Sequence, residues 1–300
     1  MFIDIHAHAY RLPQQNNKNI CGFCSAEQLL EEWDKLGIAK GVVQPIVSPE
    51  VYFPQTNDDV LEMAEKYPDR IIPFCNVDPR MYYNSPRTDF TELLEYYKEK
   101  GCKGMGEIMP KMEILDPKLQ NLFYYAQKVG FSVTLDGSPR KDYGFGVYDD
   151  PGLPQLEMTL RSFPELIVFA HGPLFWVELA KLDTVGARGY YYTEFCGHFG
   201  DMGSGPIEEG ALPKLMRKYP NLYAELSDLT PGLMFMRDQE YGAKFLDEFQ
   251  DRVFFGTDIV CPDMPVDMIR ILNEWRDTKM ISQEVYDKVT YKNAEKFLGL

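Results

Sequence analysis

Short apolar segments and segments of helical periodicity alternate along the chain, and this alternation constrains the fold more than any single motif. Eight of the apolar segments have the length of strands. They cover residues 2–8, 39–46, 71–77, 102–108, 131–135, 166–170, 222–226 and 252–255. Glycine or proline follows most of the helical segments between them. Strands that alternate with helices in this way predict parallel βαβ units.

The number of predicted strands indicates how the sheet is arranged. Eight βα units close naturally into a (β/α)8 TIM barrel of about 250 residues, which this 300-residue chain can fill. The alternative is an open, doubly wound sheet, but the sequence has no glycine-rich dinucleotide loop after the first strand to favour it. No internal repeat or linker divides the chain. We therefore predict one α/β barrel domain over residues 1–300.

The charge of the chain excludes some classes of partner. It has 31 basic and 46 acidic residues, and its formal net charge is −15. A surface of this sign repels phosphate backbones, so we expect no nucleic-acid partner. No apolar run approaches the roughly 20 residues that cross a bilayer, and we expect no membrane binding. The N-terminus lacks a signal-peptide pattern, so we expect a cytoplasmic protein.

The six cysteines do not indicate a disulfide scaffold in a chain of this length. Cys21 and Cys24 have the spacing of a redox or zinc motif, but they lie in a polar loop after the first strand. A structural zinc site would need two more ligands, which Cys196 and His198 could supply only if the fold brought them close. We favour cysteines without a specific role, kept reduced in the cytoplasm.

Two histidines stand at the end of the first predicted strand. His6 and His8 are separated by one residue, and the chain has only four histidines. Because side chains alternate along a strand, both imidazoles point to the same face and can reach one metal ion. The alternative is a chance pair of histidines satisfied at a strand end. Acidic or histidine side chains at other strand ends would favour the metal site.

Such side chains do end four other predicted strands. They are Glu107 on the fourth strand, Asp136 on the fifth, His171 on the sixth and Asp258 on the eighth. In a barrel the C-terminal strand ends meet at one mouth, so these residues and the two histidines of the first strand can share a pocket. Imidazole nitrogens and carboxylate oxygens bind zinc, manganese or iron. Each residue alone could instead cap a helix or lie in the core, but their common placement favours a metal site.

Four motifs give the chain a specific resemblance to a known family. They are Ile-Asp-Ile-His-Ala-His at 3–8, Phe-Ala-His-Gly at 169–172, Phe-Gly-Thr-Asp at 255–258 and Lys-Asn-Ala-Glu-Lys-Phe-Leu at 292–298. In this order they resemble the amidohydrolase superfamily, and more narrowly its amidohydrolase-related branch, which includes aminocarboxymuconate-semialdehyde decarboxylase. The resemblance spans nearly the whole chain and implies a metal-dependent barrel.

The resemblance also implies roles for individual residues. His6 and His8 match the metal ligands of the first strand. Asp258 matches the aspartate of the eighth strand, which is a ligand and often the proton shuttle. His171 matches the histidine of the sixth strand, which is a metal ligand in members with two ions and a catalytic group in members with one.

The fifth strand departs from the pattern of the branch. A histidine ligand usually stands there, and this chain has Asp136. Glu107 resembles the bridging carboxylate of some superfamily members. We therefore expect a carboxylate-rich site that holds one or two divalent ions, with zinc favoured over manganese or iron. Asp136 is expected to line the pocket and bind substrate together with Arg140.

Three functions fit these features. The first is a metal-dependent hydrolase of a small amide, lactone or ester, in which a bound ion lowers the pKa of water from 15.7 to about 7. Asp258 would then carry the proton to the leaving group, and His171 would bind metal or polarise the carbonyl. The second is a decarboxylase or hydratase of a small carboxylic acid at the same site. The third is a barrel that binds a ligand without catalysis, against which the complete ligand set argues.

The identity of the small-molecule substrate depends on the loops. Arg140 and Arg188 lie in long loops and could clamp a substrate carboxylate, or could be solvated surface charges. The segment 172–207 is rich in aromatic residues, among them Tyr190 to Tyr192, Phe195 and Phe199. These side chains would line the rim of the mouth, or alternatively pack internally or form the contact of a homodimer.

Overall fold

The computed structural model describes residues 1–12, 23–51, 54–141, 144–182 and 205–300. Eight strands run through this part of the chain, and every strand pair is parallel. The strands are β1 (Phe2–Ala7), β2 (Ile38–Val43), β3 (Ile71–Pro73), β4 (Met105–Ile108), β5 (Val133–Asp136), β6 (Val168–His171), β7 (Leu222–Glu225) and β8 (Val253–Phe254).

Backbone hydrogen bonds join the strands in chain order around a ring. β1 to β3 form one hydrogen-bonded group, and β4 to β8 form a second. The groups meet on one side where the Lys103 amide donates to the Pro73 carbonyl at 3.0 Å. They meet on the other side where the Ile5 amide donates to the Phe255 carbonyl at 3.1 Å. The predicted (β/α)8 TIM barrel is thereby confirmed.

Helices follow the strands and cover the outside of the barrel. They are α1 (Ala26–Leu36), α2 (Asn57–Lys66), α3 (Thr91–Glu99), α4 (Pro117–Val129), α5 (Pro154–Ser162), α6 (Pro173–Trp176), α7 (Ala211–Lys218), α8 (Thr230–Arg237), α9 (Gln239–Glu248), α10 (Asp267–Asp277), α11 (Gln283–Asp287) and α12 (Asn293–Leu298). Capping residues set the ends of the helices. At the start of α1 the Ser25 hydroxyl accepts a hydrogen bond from the backbone amide of Gln28, and Gly37 ends that helix with φ +72°.

Two parts of the structure depart from the sequence prediction. β3 is shorter than the predicted segment 71–77. The amides of Phe74 and Cys75 still donate to the carbonyls of Val43 and Gly104, at 3.2 and 3.1 Å, but the Asn76 amide donates to the Asn57 side chain at 2.7 Å. Between β7 and β8 lie α8 and α9, for which the sequence pattern gave no element. They are short and join at Asp238, which ends α8 and caps α9 through its own side chain.

Aromatic side chains close the N-terminal end of the barrel. The ring centroids of Phe169 on β6 and Phe254 on β8 lie 5.1 Å apart. Phe297 of α12 packs against both, at 5.2 and 5.7 Å. This end is therefore filled by apolar side chains, and the residues predicted to bind metal lie at the opposite, C-terminal mouth. Among the described residues, no helix is long and apolar enough to cross a membrane.

Candidate metal centre

The two histidines of β1 lie side by side in the mouth of the barrel. Both are buried, and their Nε2 atoms lie 3.0 Å apart. The other ring nitrogen of each is held from behind: Nδ1 of His8 lies 2.8 Å from the Gln44 carbonyl, and Nδ1 of His6 contacts the Glu225 carboxylate. A carbonyl only accepts, so His8 carries its proton on Nδ1 and directs the Nε2 lone pair into the mouth.

Glu107, at the end of β4, divides its two oxygens between two groups of nitrogens. Its Oε2 lies 3.1 Å from Nε2 of His8 and 3.5 Å from Nε2 of His6. Its Oε1 lies 3.2 Å from Nε2 of His171, at the end of β6. One carboxylate therefore faces the β1 histidines on one side and the β6 histidine on the other.

Asp258, which follows β8, divides its oxygens in the same way. Its Oδ1 lies 3.3 Å from Nε2 of His8 and 3.6 Å from Nε2 of His6, while its Oδ2 lies 4.0 Å from Nε2 of His171. Its side chain is 21 % exposed, whereas that of Glu107 is 5 % exposed. Asp258 is thus the more accessible of these two carboxylates.

The donor atoms fit a divalent metal ion. Atoms of His6, Glu107, His171 and Asp258 all lie within 4.8 Å of one another. Four ligands at about 2.0–2.1 Å in a tetrahedron are about 3.3 Å apart, close to the separations around His6 and His8. Buried Oδ2 of Asp136 and Oε2 of Glu225 have no hydrogen-bond partner within the described part of the chain, as expected for acids beside a cation. The residues present therefore suit the metal that the fold implies.

Burial and the charges of neighbouring groups have opposite effects on the pKa values of the centre. Burial alone would lower the pKa of His6, but the charge of Glu225, together with Glu107, raises that pKa to about 10. Burial would raise the pKa of Glu107, but contacts with His171 and the β1 histidines hold it well below its usual range. Glu107 is therefore kept ionised, as a metal ligand must be.

A buried carboxylate behind β1 supports the two histidine ligands. Oδ1 of Asp4 accepts the backbone amides of His6 and Thr257, both at 3.0 Å. Oδ2 of Asp4 accepts the Thr257 hydroxyl at 2.6 Å and the Trp33 indole at 3.0 Å. Asp4 thereby joins β1, the segment after β8 and α1 at the level of the metal ligands.

Asp136 lies at the edge of the centre. Its Oδ1 is 4.0 Å from Nε2 of His171. Burial, with the nearby charge of Glu107, raises the pKa of Asp136 well above its usual range. A Cβ atom at Gly172 or Gly146, whose φ angles are +86° and +90°, would lie 2.6 or 2.8 Å from the carboxylate oxygens. These glycines let the backbone approach Asp136 closely.

The remaining predicted residues are less central or lie outside the described residues. Arg140 is exposed, and its carbonyl accepts the Ser138 hydroxyl at 2.8 Å. Its part in substrate binding stays a prediction. The Cys24 thiol is buried and donates to the His8 carbonyl at 3.3 Å. The residues outside the described part are Cys21, Arg188, the aromatic residues 190–199, Cys196 and His198.

Sequence reasoning missed Glu225, Gln44 and the role of Asp4. Glu225 is the last residue of β7, so the rule that polar residues at strand ends face the mouth would have selected it. Strand alternation would have placed Asp4 on the same face as the two histidines, but the strand register shifts between Asp4 and Ala7, and Asp4 instead bonds Trp33 of α1. Gln44 gave no signal, since it acts through its backbone carbonyl.

The barrel and the centre at its mouth define a metal-binding TIM-barrel protein. A family model described as Amidohydrolase matches residues 3–300. The chain belongs to the amidohydrolase family, whose members are metal-dependent enzymes. The resemblance seen in the sequence motifs is confirmed. Comparison with curated protein sequences finds no match.

Solved structures support the fold. An uncharacterised TIM-barrel protein from Bordetella bronchiseptica is 19 % identical, with a TM-score of 0.63 over 99 % of this chain and 98 % of its own. A probable 2-pyrone-4,6-dicarboxylic acid hydrolase from Acinetobacter baumannii, with citric acid bound, is 13 % identical and has a TM-score of 0.60. That match covers 100 % of this chain and 99 % of the hydrolase. A 5-carboxyvanillate decarboxylase from Novosphingobium aromaticivorans, with bound manganese, is 16 % identical, with a TM-score of 0.55 over 92 % and 82 %.

Replacing both β1 histidines with alanine should abolish stoichiometric metal binding, because the change removes two adjacent nitrogen donors. Elemental analysis of the purified His6→Ala/His8→Ala protein measures this. The matched control is Glu113→Gln, which alters an exposed carboxylate paired with Lys141 and should keep the metal. Full metal content in the double variant would place the site elsewhere.

Proposed function

We propose that this protein is a metal-dependent hydrolase of a small amide, lactone or ester. The observation that carries the proposal is the convergence of imidazole and carboxylate donors from β1, β4, β6 and the end of β8 in one mouth. A divalent ion bound there would supply Lewis-acid polarisation and lower the pKa of water. The residues that would hold it are His6, His8, Glu107, His171 and Asp258.

The division of the carboxylate oxygens bears on the number of ions. Oε2 of Glu107 and Oδ1 of Asp258 face the β1 histidines, while the other oxygen of each faces His171. One ion could bind the two oxygens that face the β1 histidines, and a second ion, about 3.5–4 Å away, could bind the two oxygens that face His171. A single ion could bind on the side of the β1 histidines alone. We propose zinc as the metal because histidine nitrogens and carboxylate oxygens are ligands that zinc binds in four-coordinate catalytic sites. Manganese is the alternative that one structural neighbour contains.

Asp258 is the group best placed to move a proton. It is a carboxylate beside the donor cluster, and its side chain is the part of the cluster most open to a substrate. Its φ angle is +55°, a conformation that non-glycine residues rarely adopt and that recurs at active sites. Oδ1 or Oδ2 of Asp258 would accept a proton from water and return it to the leaving group.

His171 would orient the substrate from the opposite side. Its Nδ1 is held by the Ser227 hydroxyl at 2.8 Å and by Glu225 at 2.9 Å, so its Nε2 faces the mouth. From there Nε2 would bind a metal ion or polarise the scissile carbonyl.

The charge around the mouth favours hydrolysis of an uncharged substrate over decarboxylation. Burial raises the pKa of Asp136, and the charges of Glu107, Asp258 and Asp228 lie close enough to raise it further. Arg80, on the loop after β3, is already paired with Asp78 at 2.6 Å and with Glu50 at 2.7 Å. A substrate carboxylate would meet acids here, unless the metal, Arg140 or Arg188 bound it.

Decarboxylation of a small carboxylic acid at the same metal is the second candidate. It is supported by the resemblance to the amidohydrolase-related branch and by structural neighbours that are decarboxylases. In that reaction Asp258 or His171 would deliver a proton to the carbon that loses carbon dioxide.

Metal analysis followed by a substrate panel tests the proposal. The protein, loaded with zinc or manganese, would be offered lactones, amides, esters and aromatic acids. The proposal expects acid release from a neutral substrate and loss of this activity on chelation. Carbon dioxide release from the aromatic acids, without hydrolysis of the others, would instead establish the second candidate.

Asp258→Asn should reduce kcat by about 10²–10⁴-fold, since asparagine keeps the shape but cannot accept the proton. Asp136→Asn should reduce kcat much less, because Asp136 is proposed to contact substrate without moving the proton. Steady-state kinetics on the substrate identified by the panel compares the two. Equal losses would show that the proton shuttle is wrongly assigned.

Asp136→His restores the residue usual at the end of the fifth strand in this branch. If Asp136 only lines the pocket, this variant should bind metal as tightly as wild type or tighter, and its substrate preference should change. Chelator competition measures the affinity, and the substrate panel measures the preference. Loss of metal from this variant would identify Asp136 as a ligand, or the support of one, whose geometry imidazole cannot replace.

A further inference from the structure

One oxygen of Glu225 is the meeting point of three side chains. Oε1 contacts Nδ1 of His6, lies 2.9 Å from Nδ1 of His171 and accepts the Ser227 hydroxyl at 2.7 Å. Glu225 is fully buried at the end of β7. The histidines come from two other strands, so the carboxylate connects β1 and β6 across the barrel.

The chemistry of a carboxylate decides where the protons lie. An ionised carboxylate oxygen only accepts hydrogen bonds, so His6 carries a proton on Nδ1. The Ser227 hydroxyl donates its one proton to Oε1, so it accepts from Nδ1 of His171, which is protonated as well. Each is thereby left with its Nε2 facing the centre. With the Ser227 hydroxyl donating to it and the two Nδ1 atoms beside it, Oε1 is placed to act as an acceptor.

The position of Glu225 is itself fixed by neighbours. The Trp176 indole donates to its backbone carbonyl at 3.1 Å. The Ser227 hydroxyl, two residues along the chain, also lies 2.8 Å from Nδ1 of His171. Glu225, Ser227 and the His171 ring thus form a closed triangle, and His6 joins it through the same Oε1.

We propose that Glu225 is a positioning residue that sets the tautomer and the orientation of His6 and His171 together. This proposal rests on the proposed metal site. Through Glu225, the two imidazoles, which come from strands far apart in sequence, become one preorganised pair of donors. His8 is independent of it, because Nδ1 of His8 donates to the Gln44 carbonyl. Partners of this kind are worth about 10–100-fold in metal affinity.

Zinc affinity, measured by chelator competition, distinguishes a positioning role of Glu225 from a role in packing or in charge alone. Glu225→Ala removes the acceptor and should weaken zinc binding about 10–100-fold. Glu225→Gln keeps an acceptor oxygen without the charge, and it should recover part of that loss. The control is Glu178→Gln, which alters another buried glutamate, bonded to the Gly152 amide at 2.9 Å, and should bind zinc as wild type does.

Nitrogen NMR of the histidine rings provides a second readout, which is practical because the chain has four histidines. In the zinc-loaded wild type, His6 and His171 should show a protonated Nδ1. In Glu225→Gln, and in Glu225→Ala if it folds, the signals of these two rings should change while those of His8 stay the same.

Three results would overturn the proposal. They are zinc affinity in Glu225→Gln and Glu225→Ala within twofold of wild type, equal losses in the two variants, and ring signals of His8 that change as much as those of His6. The first would leave Glu225 a packing residue, and the second would reduce its role to charge. A wild-type protein that binds no zinc or manganese would instead overturn the proposed metal site, and this inference with it.

Discussion

The centre depends on Asp4, a buried carboxylate that does not face the mouth. Its two oxygens accept four donors: the His6 amide, the Thr257 amide and hydroxyl, and the Trp33 indole. Burial raises the pKa of Asp4 to about 7, against the bonds from Thr257 and His6. They fix β1 against the segment after β8 at the point where the barrel closes. The same junction carries His6, His8 and Asp258, so one interaction sets the spacing of three proposed ligands.

Beyond this junction, the centre contains several ionisable groups that are buried close together. Three imidazoles and several carboxylates lie in a mouth with little solvent, where an isolated charge would be costly. Glu107 and Glu225 meet this cost by contacting histidines on both sides, and their pKa values are correspondingly low. Asp136 lies farther from the histidines of the centre, 4.0 Å from Nε2 of His171, and burial raises its pKa. A cation or a hydrogen-bond donor on the substrate would compensate Asp136, so this residue is where specificity is expected.

The fold and most of the proposed ligands could be predicted from the sequence, because residues at the C-terminal ends of the strands of a TIM barrel lie close together. Once the eight strands are recognised, their C-terminal ends converge, and Glu107, His171 and Asp258 fall beside the β1 histidines. Glu225 shows where this reasoning stops: its partner His6 is 219 residues away, and its role comes from which oxygen meets which ring. α8 and α9 were missed because they meet at Asp238 without a loop between them. The exposure of Arg140 likewise depends on loop geometry, which periodicity does not report.

The most direct test of the metal centre is anomalous diffraction from a crystal of the metal-loaded protein, recorded on both sides of the absorption edge of the metal. The structure predicts an anomalous peak in the barrel mouth, about 2.0–2.2 Å from Nε2 of His6 and of His8 and from an oxygen of Asp258. A second peak within about 3.5–4 Å of the first, towards His171, would mean that two ions are bound. A peak confined to any other part of the molecule, with none between the β1 histidines and Asp258, would contradict the account.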